Sequence, residues 1–217
     1  RFIPTSDDGR LDLTTCEQLI GEKTKVLSFV HQSNLLGTVN DVATLSARAR
    51  EVGAWVVIDA CQSVPHMPIE ITELGADFVV FSGHKMCGPT GVGVLWGTEA
   101  ALDALPVFIT GGSMIETVYF DHSTYTKAPQ KFEAGTQMAA QVVGLAAAVN
   151  YLNRVGMPAI AEHEHLLTEQ ALAALNELKG VRIVGPENAH NRGSAISFVV
   201  DSLHPHDVGQ VLDSRGV

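Results

Sequence analysis

Three short polar clusters in this chain each close an apolar run of strand length. His31-Gln32-Ser33-Asn34 closes the run from Lys25 to His31, Asp59 and Gln62 close the run from Ala54 to Ala60, and Ser82, His84 and Lys85 close the run from Ala76. Between them they offer a carboxylate, three amides, hydroxyls, imidazoles and one primary amine. Taken singly, each has an ordinary explanation. A lone Asp at a strand end is usually a turn or capping residue, and a lone Lys after a strand is usually solvated. Their significance depends on whether the fold brings the three ends together.

The intervening segments say that it does. Asp41 to Val52 has helix-spaced apolar residues and stops at Gly53, while a short helical turn over Glu70 to Leu74 precedes the third run. Strand, helix, strand, helix, strand in such close order predicts parallel pairing with right-handed crossovers. Gly91 to Gly97 is a further strand, and its short connection predicts antiparallel pairing. Ligands of open α/β sheets sit outside the carboxyl ends of the strands, so the three clusters share one crevice.

A set of this composition suits pyridoxal 5'-phosphate. Lys85 would form the Schiff base and Asp59 would keep the pyridine nitrogen protonated, making the ring an electron sink. Burial near other positive charge would lower the Lys85 pKa enough for attack on the aldehyde. Ser82 and His84 flank the lysine as phosphate ligands, and Gly83, Gly88, Gly91 and Gly93 let the backbone approach closely. The pattern alone also admits other anion sites.

Four stretches carry a resemblance: IDACQSVPH, FSGHKMCGPTGVGVLWG, TGGSMIETV and APQKFEAGTQ. They resemble, in order and in spacing, the motifs of the class V aminotransferase family, and in particular the SUF-type (group II) cysteine desulfurases. The resemblance implies a fold-type I α/β architecture with a mostly parallel central sheet over residues 1–155. A smaller α+β unit would begin at 156–217. Lys85 would carry the cofactor, Asp59 would pair with the ring nitrogen, and Gln62 would bond the ring hydroxyl. Ser82 and His84 would hold the phosphate, and Asn34 would lie near the ring hydroxyl and substrate carboxylate. Thr136 would reach the phosphate across a homodimer interface.

The implied reaction takes sulfur from L-cysteine, releases L-alanine, and passes the sulfur as an enzyme persulfide to an acceptor of the SUF system for iron–sulfur cluster assembly. The nucleophilic cysteine and a carboxylate-binding arginine would lie beyond Val217. A ring-stacking histidine and a phosphate-binding threonine would lie before Arg1. Cys16, Cys61 and Cys87 match none of those positions, so this stretch alone is expected to be inactive. AGTQ stands where the family usually has AGTP. Selenocysteine lyase, kynureninase-like and epimerase activities share the Lys85–Asp59 pair and are the nearest alternatives. A non-catalytic relic of the fold is a further one.

Bulk properties narrow the setting. With 217 residues, 46% hydrophobic and 18% charged, the chain can bury a substantial core. A formal net charge of −10 argues against nucleic acid or an anionic membrane as partner. Three cysteines without a CxxC pair read as free thiols of a reducing compartment, hence cytoplasmic. No apolar run nears the ~20 residues of a spanning helix. Gly88 to Gly93 imitates a nucleotide loop but precedes a strand, where a Rossmann fingerprint would open a helix. Glu162 to His165 imitates a metal cluster, yet on a helix its two histidines point about 200° apart, which predicts a surface helix. His204 to Asp207 introduces the last helix, with a proline near its start. Ala104 to Glu133 reads as a loop-rich segment, mobile or intersubunit.

Overall fold

The computed structural model describes all residues, Arg1–Val217. Its centre is a four-stranded sheet of order β1-β2-β3-β4, with β1 Val26–Val30, β2 Trp55–Asp59, β3 Phe78–Ser82 and β4 Gly93–Gly97. The first three strands are parallel and the fourth runs antiparallel to β3, as the connection lengths predict. Two short helices, α1 Cys16–Leu19 and α2 Val42–Glu51, lie on one face. There Cys16, Ile20, Leu45 and Ala49 pack with Leu27, Val56, Ile58 and Val79 of the sheet into the main core.

The α2 boundaries follow from their chemistry. Asp41 caps the start, accepting from the Thr44 N–H at 3.0 Å and the Thr44 hydroxyl at 2.7 Å. Gly53 follows the end at φ +69°, a left-handed conformation that a side chain would resist. Arg48 then ties α2 to α1 by donating to the Ile20 carbonyl at 2.7 Å.

After β4 come α3 Glu99–Ala104 and a two-stranded hairpin, β5 Ile115–Val118 with β6 Ser123–Tyr125. This hairpin stands within the segment expected to be mostly loop, and its tip carries Val118, Tyr119 and Phe120 exposed. The long helices α4 Ala139–Val155 and α5 Met157–Asn176 meet at Gly156, whose φ is +94°. A hairpin of β7 Val181–Val184 with β8 Ser197–Val200 and the helix α6 Pro205–Asp213 complete the chain.

One face of the sheet is open. Along β1, Leu27 is buried while Val26, Ser28 and Val30 are exposed, and Leu95 of β4 is exposed on its alternate position. Parallel sheets are ordinarily covered on both faces. The total accessible area is 13865 Å² for a 23.1 kDa chain. A compact monomer of that mass would expose about 9,700 Å².

The cap on α2 generates a direct prediction. The Thr44 hydrogen bonds lower the Asp41 pKa below its ordinary 3.8, so the carboxylate stabilises the fold above that value. Asp41→Ala is expected to cost about 1 kcal/mol near neutrality. Urea unfolding should show that difference fading as pH falls through the lowered pKa, where Asp41 itself is protonated. A difference that persists at low pH would assign the loss to something other than the charged cap.

Candidate active site

Parallel register places the strand ends side by side. Val30 pairs with Asp59, and Asp59 with Val80. The ladder continues one step further, with the His31 N–H donating to the Asp59 carbonyl and the Ala60 N–H to the Val80 carbonyl, each at 2.8 Å. Everything that follows these strands therefore emerges at one edge, as the sequence predicts.

At β2, the Asp59 carboxylate is held by its own turn, with Oδ1 accepting from the Cys61 N–H at 2.9 Å. Neither Lys nor Arg forms a salt bridge with it. Gln62 follows in the same turn, half-buried. At β3, the chain tightens into a 3-10 turn, Gly83–Met86, which buries Gly83 and Met86 and turns His84 and Lys85 outward. Cys87 closes the turn at φ +63°. The Ser82 hydroxyl oxygen is buried and has no hydrogen-bond partner.

The glycines here are dictated by contact. A Cβ on Gly88 would stand 2.7 Å from the Gly83 carbonyl oxygen, and one on Gly83 would stand 2.9 Å from Val92 Cγ1. Leu145 of α4 closes on both positions, so the back of the lysine turn is packed tightly while its front is open.

At β1, His31 and Gln32 turn inward, 8% and 3% exposed, and each has one buried polar atom without a partner. Burial lowers the His31 pKa, which keeps the ring neutral. Asn34 stands exposed in the following turn. Thr136 is exposed in the loop before α4, and its hydroxyl bonds to no group of this chain. The structure thus puts Asp59, Gln62, Ser82, His84 and Lys85 on adjacent strand ends, Asn34 in the exposed turn after β1, and Thr136 in the loop before α4.

Sequence reasoning overlooked one member. Cys61, which matches no catalytic position of the family, is half-buried beside Asp59. Burial raises its pKa first, the hydrogen-bonded Asp59 carboxylate raises it further, and the Ser82 hydroxyl and the Lys85 charge oppose them. A thiol that feels all three groups sits among them. Its spacing two residues after Asp59, at the start of a turn, was the available signal. The Glu162–His165 stretch also differs from expectation. Glu164 shares a helix face with Thr168 and Leu172, both buried, and pairs with His66 Nδ1 at 2.8 Å. His163 and His165 are exposed, and no group of side chains is arranged to hold a metal ion.

The donor set fits pyridoxal phosphate. It combines, on adjacent strand ends, a carboxylate and an amine without ion-pair partners and a buried hydroxyl lacking a hydrogen-bond partner. The Cys61 environment provides a test. Its raised pKa predicts slow alkylation at neutral pH, accelerating only as pH rises past the ordinary thiol range. Asp59→Asn removes the carboxylate's share of that shift, so the acceleration should move to lower pH. An unchanged profile would show that thiol and carboxylate are not in contact.

Comparison with known proteins follows the same lines. The profile of the aminotransferase class-V family matches residues 1–217. The chain is 58% identical over 217 residues to a probable cysteine desulfurase of Streptomyces coelicolor, covering all of this chain and 52% of that one. It is 47% identical over 217 residues to a cysteine desulfurase of Haloferax volcanii, covering 51% of it. Among solved structures, the apo cysteine desulfurase of Thermococcus onnurineus superposes with a TM-score of 0.94 at 39% identity, over 100% of this chain and 54% of that one. The cysteine desulfurase CsdA of Escherichia coli superposes with a TM-score of 0.92 at 32% identity, over 99% and 53%. The chain thus spans about half the length of the relatives it matches. With matched motifs, a shared strand edge and a profile covering every residue, this chain belongs to the class-V aminotransferase family.

Proposed function

We propose that the protein carrying this chain is a pyridoxal phosphate-dependent cysteine desulfurase. It converts L-cysteine to L-alanine and passes the sulfur, as a persulfide on a cysteine outside this chain, to a SUF acceptor protein for iron–sulfur cluster assembly. It works as a cytoplasmic homodimer. The observation that carries this reading is the unpaired Asp59 and Lys85 beside the partnerless Ser82 hydroxyl on one strand edge. The relatives named as cysteine desulfurases supply the reaction.

Each side chain then has a task. Asp59, oriented by the Cys61 N–H, holds a proton on the pyridine nitrogen. Lys85, free of any hydrogen bond or ion pair within the chain, holds the cofactor and takes the substrate Cα proton on Nζ. Ser82 donates its hydroxyl to the phosphate, with His84 beside it. Gln62 would bond the ring hydroxyl, and Asn34 would lie near the ring hydroxyl and the substrate carboxylate. Thr136 would reach the phosphate of the second subunit's site. Pyridoxal phosphate, when bound, would withdraw electrons from the substrate Cα, easing loss of the Cα proton and transfer of the Cβ sulfur to a thiol nucleophile.

The open sheet face and its exposed Val26, Val30 and Leu95 suit packing against the remainder of the protein. Free thiols at Cys16, Cys61 and Cys87 suit a reducing cytoplasm.

The test is alanine release from L-cysteine by the full-length protein, with an added dithiol reductant that frees the persulfide sulfur as sulfide, beside Lys85→Ala. Equal amounts of both products are expected, with at least about a thousand-fold loss in the variant. Bound cofactor without release would move the protein to another class-V chemistry. Failure to bind the cofactor at all would overturn the site.

A further inference from the structure

Arg192 takes no part in the chemistry above, yet it is one of the few charged residues removed from water, 9% exposed. No carboxylate pairs with it. Its guanidinium instead donates to three backbone carbonyls of its own loop: Pro186, Gly193 at 3.2 Å and Ala195 at 2.5 Å. Burial and the neighbouring Arg10 charge disfavour the cation, so the carbonyls must satisfy it. A planar fork can reach three carbonyls at once, which an ammonium cannot.

The loop so wrapped does not stand alone. Its residues 191–193 form an antiparallel bridge with residues 37–39, the Val39 N–H donating to the Asn191 carbonyl at 3.1 Å and the Gly193 N–H to the Gly37 carbonyl at 2.7 Å. Residues 38–40 in turn pair back onto the end of β1. The Ser33 N–H donates to the Thr38 carbonyl and the Asn40 N–H to the His31 carbonyl, each at 2.9 Å. Asn34 sits in the turn between, which the Ser33 hydroxyl closes by accepting from the Leu35 and Leu36 N–H groups at 3.2 and 3.1 Å.

The fit leaves no slack. A Cβ on Gly37 would stand 2.7 Å from the Ala195 carbonyl oxygen and 3.2 Å from Arg192 Nη2. One on Gly193 would stand 2.0 Å from Nε2 of Gln32, a side chain only 3% exposed. From the far side, Ser197 donates its hydroxyl to the Leu35 carbonyl at 2.7 Å.

We propose that Arg192 is a positioning residue: by shaping the 186–195 loop, it sets the hairpin that presents Asn34 to the strand-end cluster. This rests on the reading of Asn34 as the residue facing the substrate carboxylate. A purely structural arginine would affect stability, cofactor and turnover together. A positioning residue moves the substrate's apparent affinity first.

The experiment uses the full-length protein with Arg192→Met and, as a variant that keeps the charge, Gly193→Ala. Amide exchange without substrate should accelerate by about ten-fold or more at residues 33–40 in both, with β1 and β2 unchanged. The KM for L-cysteine should rise by about ten-fold in Arg192→Met, and in the same direction in Gly193→Ala. The kcat should stay within about two-fold, with the visible cofactor absorbance retained. Arg192→Lys should fail to restore the KM. Unchanged exchange at 33–40 in both variants would overturn the coupling. Faster exchange with an unchanged KM would overturn the positioning role, as would parallel loss of kcat and cofactor. A wild-type protein that turns over no cysteine would count against the proposed function, while the exchange data would still decide whether Arg192 sets the hairpin.

Discussion

Register between three parallel strands is the constraint on which the site depends. Because side chains alternate along a strand, sliding β2 by one residue against its neighbours would turn Asp59 to the other face. What prevents the slip is the buried set Leu27, Val56, Ile58 and Val79, whose burial holds only in the observed pairing. The apolar core thus does more than stabilise. It aims a carboxylate on one strand and an amine just past the next at the same patch of solvent.

The lysine turn shows how the same packing sets up reactivity. Leu145 and Val92 press on Gly83 from behind, and the Gly83 carbonyl presses on Gly88. The backbone can therefore bend sharply only outward, and it carries His84 and Lys85 with it. Ser82, one residue earlier, is still in the strand and is left with a buried hydroxyl that has nothing to bond. A buried polar atom of this kind costs stability unless a ligand meets it. That cost is what separates a binding cradle from an ordinary turn.

Much of this was legible in the residues, for physical reasons. The four central strands are apolar runs of strand length, although β1 and β4 leave alternate positions exposed, and α2 announces itself with an Asp cap and a Gly stop. The β5–β6 hairpin was not legible. Its strands, IETV and STY, bury no alternate set of side chains, so no period of two was written into them. Arg192 was invisible for another reason. Its partners are carbonyls, which every residue has, so no side-chain pattern marks the contact. Glu164 was readable only in part: its spacing to Thr168 and Leu172 puts it on the inner face, but nothing in the sequence pairs it with His66, ninety-eight positions away. Thr136 has no partner within this chain to reveal its place.

The His66–Glu164 pair alters the thermodynamics of the loop that follows Asp59. That loop is anchored at its start by the sheet and near its end by α5, so the residues between have few conformations left to lose. Fixing a residue's backbone costs about 1–2 kcal/mol of conformational entropy. Here that ordering is completed when the chain folds. A ligand arriving at Asp59 and Gln62 meets a loop already in place, and its binding energy remains available for holding the ligand itself.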